Sequence, residues 1–226
     1  MGCNCDKNDD ENMEELETEK RNPIISEKEA IHENLLLSSP IYKKNLMSID
    51  PNGYPKDQFS KYLFDLINAV RQDPQLYIDI ILKAKDNITI DKTGIKVYKS
   101  TVKVALNLGE PAFNSAIEVL KNTKPMDKLI YNPYLVIDLP TNENDIKSRG
   151  YLPGQIKLKI NKGIEIKSFW KDIIKDPDTC FILTIVDDSG SQSGSKRKDI
   201  LDETNKYIGI SSVSIGKSFA CYIVLS

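Results

Sequence analysis

The chain has 226 residues, 31 Lys and Arg against 33 Asp and Glu, a net charge of −2 and a pI near 5.6. That length suits one domain of ordinary size plus an extension, and the near-neutral balance lacks the footprint of a nucleic-acid binder. No apolar run approaches the ~20 residues of a membrane-spanning helix, and the polar, acidic start does not read as a secretory leader, so a cytoplasmic protein is expected.

The N-terminus reads Met1-Gly2-Cys3-Asn4-Cys5. Removal of Met1 exposes Gly2 as a myristoyl acceptor, with Cys3 and Cys5 beside it as palmitoyl acceptors. One myristoyl chain binds membrane only marginally, so stable anchoring takes a second signal. The following residues cannot supply it by charge. Asp6, Asp9, Asp10, Glu11, Glu14, Glu15, Glu17 and Glu19 outnumber Lys7, Lys20 and Arg21, and an anionic leaflet repels such a tail. The cysteines are therefore the expected second signal. Asp6 departs from the Ser or Thr that the myristoylation pattern places there. Residues 1–25 are expected to be an acylated, acidic, disordered tail. Residues 26–56 read as a lead-in arm: a short helix over Glu27–Leu37, then a loop punctuated by Pro40, Pro51, Asn52-Gly53 and Pro55.

The domain is expected over 57–226. Phe59, Leu63, Leu66, Ile67 and Val70 recur at the spacing that buries one helix face. They predict a helix from Lys56, with Asp57 as N-cap, broken at Pro74 and resumed through Leu82. Residues 86–108 read as turns with strand pieces at Ile95–Tyr98 and Val102–Leu106. A second helix begins near Pro111, a residue favoured in a first turn. It turns Phe113, Ala116, Ile117 and Leu120 inward and stops before Pro125. A helical piece follows at Asn132–Leu135, and an alternating strand at Ile156–Ile160. Ser168–Ile174 is read as a short helix closed by Asp176-Pro177, and Phe181–Val186 as a buried strand. Tyr207–Val213 and Phe219–Leu225 flank Ser214–Lys217 as a hairpin. Cys180 and Cys221 lie in apolar runs and are read as buried thiols rather than a disulfide. Apolar runs without polar alternation imply a sheet covered on both faces, hence an α+β fold, a three-layer α-β-α sandwich with a mostly antiparallel central sheet and an N-terminal extension.

Three segments in order resemble the CAP (SCP-like) domain family. They are Phe64–Pro74 with its Asn68, Arg71 and Pro74; Glu110–Leu120 followed by Pro125–Leu129 and Asn132–Leu135; and Ile185-Val186-Asp187-Asp188-Ser189-Gly190 through Ser193–Leu201 to Tyr207–Ile210. The match spans about 57–226 and is weak from 137 to 165. Active-looking members line a cleft with two His and two Glu that can hold zinc. Here Lys196 stands at the second His position, and Val136–Leu139 offers no first His. The acidic strand position falls near Gln155–Lys159, where lysines stand. The resemblance therefore implies a degenerate member whose cleft has lost its metal. It extends to an intracellular, myristoylated branch of an otherwise mostly secreted family.

The residues themselves agree with that reading. The single histidine, His32, lies in the arm, so neither a two-histidine metal site nor a nucleophile–His pair is expected within the domain. Asp187-Asp188-Ser189-Gly190-Ser191 lacks the alternating acids and closing Glu of an EF-hand loop, and reads as a polar loop after a buried strand. Ser189–Ser195 has no phosphate-loop order. Lys196-Arg197-Lys198 is a basic cluster that could meet phosphates or an acidic partner, or be a solvated helix start. Trp170 reads as core, and the resemblance implies a place at the cleft's edge. No enzyme activity, metal or cofactor is expected. The chain reads as a membrane-tethered scaffold with protein partners. A structural part of a ciliary, axonemal assembly and a sterol or lipid binder are the alternatives.

Overall fold

The computed structural model describes residues 53–147, 165–190 and 193–226. Gly2, Cys3, Cys5, the acidic tail, His32, the arm as far as residue 52 and the strand expected at Ile156–Ile160 lie outside the described residues.

Helix α1 (Gln58–Gln72) forms as its periodicity predicts. Asp57 caps it by accepting from the Ser60 N–H at 2.8 Å. Leu63, Leu66, Ile67 and Val70 are at most 1% exposed, each worth roughly 1.5–3 kcal/mol of burial. The same helix also buries Asn68 and Arg71, and both act as staples. Asn68 exchanges two hydrogen bonds with the backbone of Leu129, as a neighbouring strand would. The Arg71 guanidinium donates to the carbonyls of Asp127, Ile200, Asp202 and Asn205, so one buried cation ties α1 to two distant chain segments. After the break at Pro74, α2 (Leu76–Lys85) buries Tyr77, Ile81 and Ala84.

A three-stranded antiparallel meander follows, with β1 (Ile88–Ile90), β2 (Lys96–Lys99) and β3 (Lys103–Ala105). The strand pieces at 95–98 and 102–106 are borne out, and β1 is an added strand that the sequence pattern did not disclose. Helix α3 (Glu110–Asn122) has Pro111 in its first turn and buries Phe113, Ala116, Ile117 and Leu120 as expected. The piece at 132–135 is a 3-10 turn over Pro133–Leu135, capped by Asn132.

The main sheet has the order β4-β6-β7-β5, from β4 (Ile130–Tyr131), β5 (Ser168–Asp172), β6 (Tyr207–Ile215) and β7 (Ser218–Leu225). Two of its three pairings are antiparallel, and β4 runs parallel to β6. The β6–β7 hairpin narrows to a two-residue turn, Gly216-Lys217, with Gly216 at φ +57°, a conformation that glycine adopts without penalty. Along β7, Cys221, Ile223 and Leu225 face the main helical core. Ala220, Tyr222 and Val224 face a second cluster with Leu135, Ile137 and Ile146, the last on α4 (Glu143–Lys147). Both sheet faces are covered, and the fold is α+β. Gly209 lets the 3-10 turn lie against β6, since a Cβ there would stand 2.4 Å from the Leu135 carbonyl oxygen.

Two expectations are corrected. Ser168–Ile174 is no helix: its first five residues form β5, an edge strand paired with β7 from Ser168↔Leu225 to Asp172↔Cys221. Phe181–Val186 is no strand but the body of helix α5 (Pro177–Val186). Asp176-Pro177 does not close an element; it starts one. Asp176 accepts from the Thr179 N–H at 2.8 Å, and Pro177 occupies the first turn. Every residue from Thr179 to Val186 is buried. A helix buried all round shows no amphipathic period, and a short apolar run then cannot be told from a strand.

Candidate functional site at one end of the main sheet

Helix α5 ends at Asp187, the one non-glycine residue with positive φ among those described, at +48° and 1% exposed. Its carboxylate accepts from the Lys196 N–H at 2.8 Å and from the hydroxyls of Ser189 and Ser195 at 2.9 and 3.3 Å. Its carbonyl accepts from the Ser193 hydroxyl and the Gly194 N–H. Asp187 thereby gathers its loop and seats the start of helix α6 (Ser195–Ile200). Asp188 turns the other way. Its carboxylate accepts from the N–H groups of Asn107, Leu108 and Gly109, tying the end of the meander to this loop. The paired acids are backbone clamps, which accounts for them without a bound cation.

With its backbone held by Asp187, Lys196 reaches β5. Its Nζ lies 3.7 Å from Asp172 Oδ2, the two side chains being 24% and 10% exposed. Asp172 faces the helical side of the sheet, in the row Asp172–Cys221–Ser212 that runs across β5, β7 and β6. Ser212 closes the row by donating to Asp57, the α1 cap, at 2.6 Å. Burial raises the Asp172 carboxyl above its ordinary range, although Lys196 and the Ile174 N–H pull the other way. Burial also pushes the Cys180 and Cys221 thiols well up, and the charge of Asp172 adds to it. Thiols so placed stay protonated at neutral pH and are poor nucleophiles. Both are free and buried, as expected.

Beyond Asp172 the sheet end opens into a groove of about 730 Å³, lined by Ile146, Lys147, Lys171, Asp172, Ile173, Lys217, Ser218 and Phe219. Lys171 points to the opposite sheet face from Asp172, donates to the Ile146 carbonyl and has its pKa lowered by burial. Lys147 pairs with Glu143 at 2.7 Å.

The structure separates the residues singled out in the sequence. Lys196 holds the ion pair, and Lys198 is exposed. Arg197 is not part of a basic surface. It is 4% exposed and donates to the carbonyls of Ile185 and Val186 at 2.8 Å and to Ser115 at 3.0 Å, a cation on the last carbonyls of α5. Trp170 is core, 8% exposed, but it stands on a strand rather than a helix, and its Nε1 has no partner among the described residues. Sequence reasoning missed Asp172, because reading 168–174 as a helix concealed the two-residue alternation that puts Trp170 and Asp172 on one face. Among the described residues no group of three or more His, Cys, Asp or Glu could hold a metal ion, and no helix is long and apolar enough to cross a membrane. No family model, curated protein or solved structure matches the chain.

Proposed function

We propose that this chain is a non-catalytic, lipid-anchored interaction module, a CAP-type three-layer sandwich whose cleft has been converted from metal chemistry to structure. The observation that carries the reading is the Lys196–Asp172 pair. Where the resemblance calls for a histidine, an ammonium group is engaged by a buried carboxylate. The nearby thiols are held protonated by burial, and the one histidine of the chain lies outside the domain. None of these positions carries an imidazole, and buried, protonated thiols are poor nucleophiles, which supports a non-catalytic reading. What remains is a rigid body behind an N-terminus bearing Gly2, Cys3 and Cys5, suited to holding protein partners at a membrane on the cytoplasmic side.

The test is metabolic labelling with an alkyne analogue of myristate in eukaryotic cells, read together with membrane pelleting. Wild-type chain should take label and pellet. Gly2→Ala should lose both, and Cys3→Ser with Cys5→Ser should keep the label while pelleting less, since one chain anchors only marginally. Label or undiminished pelleting in Gly2→Ala sinks the proposal.

A further inference from the structure

The β1–β2–β3 meander carries more lysines than its own fold pairs with acids, the charge of Lys103 acting only as a minor influence on Asp91. Ile88, Tyr98 and Val104 stand opposite one another and pack on the core, so the meander is fixed to the body on one face. On the other face Lys99 and Lys103 are direct cross-strand partners, both exposed. Like charges placed so repel and weaken a sheet. From residue 88 to 108 the chain has Lys92, Lys96, Lys99 and Lys103 against one acid, Asp91. Asp91 is taken up in its own turn, accepting from the Thr93 N–H and hydroxyl and from the Ile95 N–H. Lys96 donates to the Leu108 carbonyl. At the tip of the β1–β2 hairpin Ile90 is 72% and Ile95 49% exposed. An acidic protein surface would explain the lysines but not the two exposed isoleucines at the tip, about 10 Å along β2 from the Lys99–Lys103 pair. A lipid surface explains both, since apolar tips enter the acyl boundary while ammonium groups remain at the phosphates.

We propose that the meander docks the domain on an anionic lipid leaflet, with Ile90 and Ile95 inserted and Lys99 and Lys103 over the headgroup phosphates. This rests on the membrane-tethered reading, and it supplies the electrostatic contact that the acidic tail lacks. The Asp188 clamp on Asn107–Gly109 holds the end of the meander to the body, so contact at the tip would set the domain's orientation.

The full chain, produced without acyl chains, is sedimented with phosphatidylcholine vesicles with and without phosphatidylserine. Binding is expected only with phosphatidylserine, and it should fall as salt rises. Lys103→Glu changes the patch by two charges and should weaken partitioning about 30-fold, at the ~1 kcal/mol per charge of a leaflet surface. The same variant turns a repelling cross-strand pair into an attracting one, so its melting temperature should stay level or rise. Lost binding with retained stability is a combination that misfolding cannot produce. Ile90→Ser with Ile95→Ser should also weaken sedimentation while leaving the melting temperature unchanged. The proposal is overturned by no sedimentation, by equal sedimentation without phosphatidylserine, or by unchanged binding of Lys103→Glu. Retention on immobilised polyglutamate without vesicle binding would assign the patch to an acidic protein instead. Because no acyl chain is present, these outcomes are independent of the labelling of Gly2.

Discussion

Asp187 combines two separable demands, a left-handed backbone and a buried carboxylate that seats Lys196, and three substitutions take them apart. Alanine keeps the left-handed backbone, whose Cβ cost of roughly 1–2 kcal/mol wild type already bears, and loses the carboxylate. A hydrogen bond between the Lys196 N–H and a charged acceptor is worth about 1.5–3 kcal/mol, and water can replace the two exposed serine hydroxyls, so Asp187→Ala should cost about 2–3 kcal/mol. Glycine loses the same bonds but relieves the strain, against about 0.5–1 kcal/mol of added chain entropy, so Asp187→Gly should cost about 1–2 kcal/mol. Asparagine tolerates the left-handed region and keeps an acceptor, so Asp187→Asn should cost about 1 kcal/mol. At roughly 2–4 °C per kcal/mol for a domain of this size, alanine should lower the melting temperature by about 4–12 °C. Urea unfolding followed by the fluorescence of Trp170, the single tryptophan and two residues from Asp172, reads the series directly. Equal midpoints for Ala and Gly would show that the +48° φ carries no cost. An alanine variant as stable as wild type would refute the clamp altogether.

Asp172 predicts a pH signature. Its folded pKa is raised above the free value of 3.8 by burial, so its contribution to stability is complete below that value and is lost as pH rises through the raised one. Wild type should therefore lose stability relative to Asp172→Asn as pH climbs from 3.8 through that window and hold level above it; paired urea midpoints showing a constant or opposite difference would contradict the desolvated carboxyl. Arg197 and Lys198 should behave as opposites despite being neighbours. Arg197→Met strands two buried carbonyls and should cost about 3 kcal/mol, while Lys198→Ala should stay within about 0.5 kcal/mol, and comparable losses for both would refute the buried role of Arg197.

Local chemistry made much of the fold legible. The stripe of Leu63, Leu66, Ile67 and Val70 specified α1 because that helix is buried on one side only, so burial imprints its period. Pro111 marked the start of α3 because its ring suits a first turn, and Gly216 marked the hairpin because a two-residue turn needs positive φ. Helix α5 escaped for the converse reason: buried on every side, it leaves no period to read, and its Asp176-Pro177 start doubled as an apparent stop. Strand β5 escaped because five residues carry too little pattern to oppose a helical reading.

The candidate site was harder still. Lys196 could be named from the sequence, but the partner that defines its role, Asp172, stands 24 positions earlier on a misread element. Arg197 looked like surface because charge in a sequence says nothing about which carbonyls need a donor. Composition supplied the residue types at hand: a single histidine at position 32, Gly2, Cys3 and Cys5 in the first five residues, and apolar runs sufficient for a two-faced sheet. Which charges are buried and which are paired emerged from the folded arrangement, because desolvation and ion pairing depend on distances between residues that lie far apart along the chain.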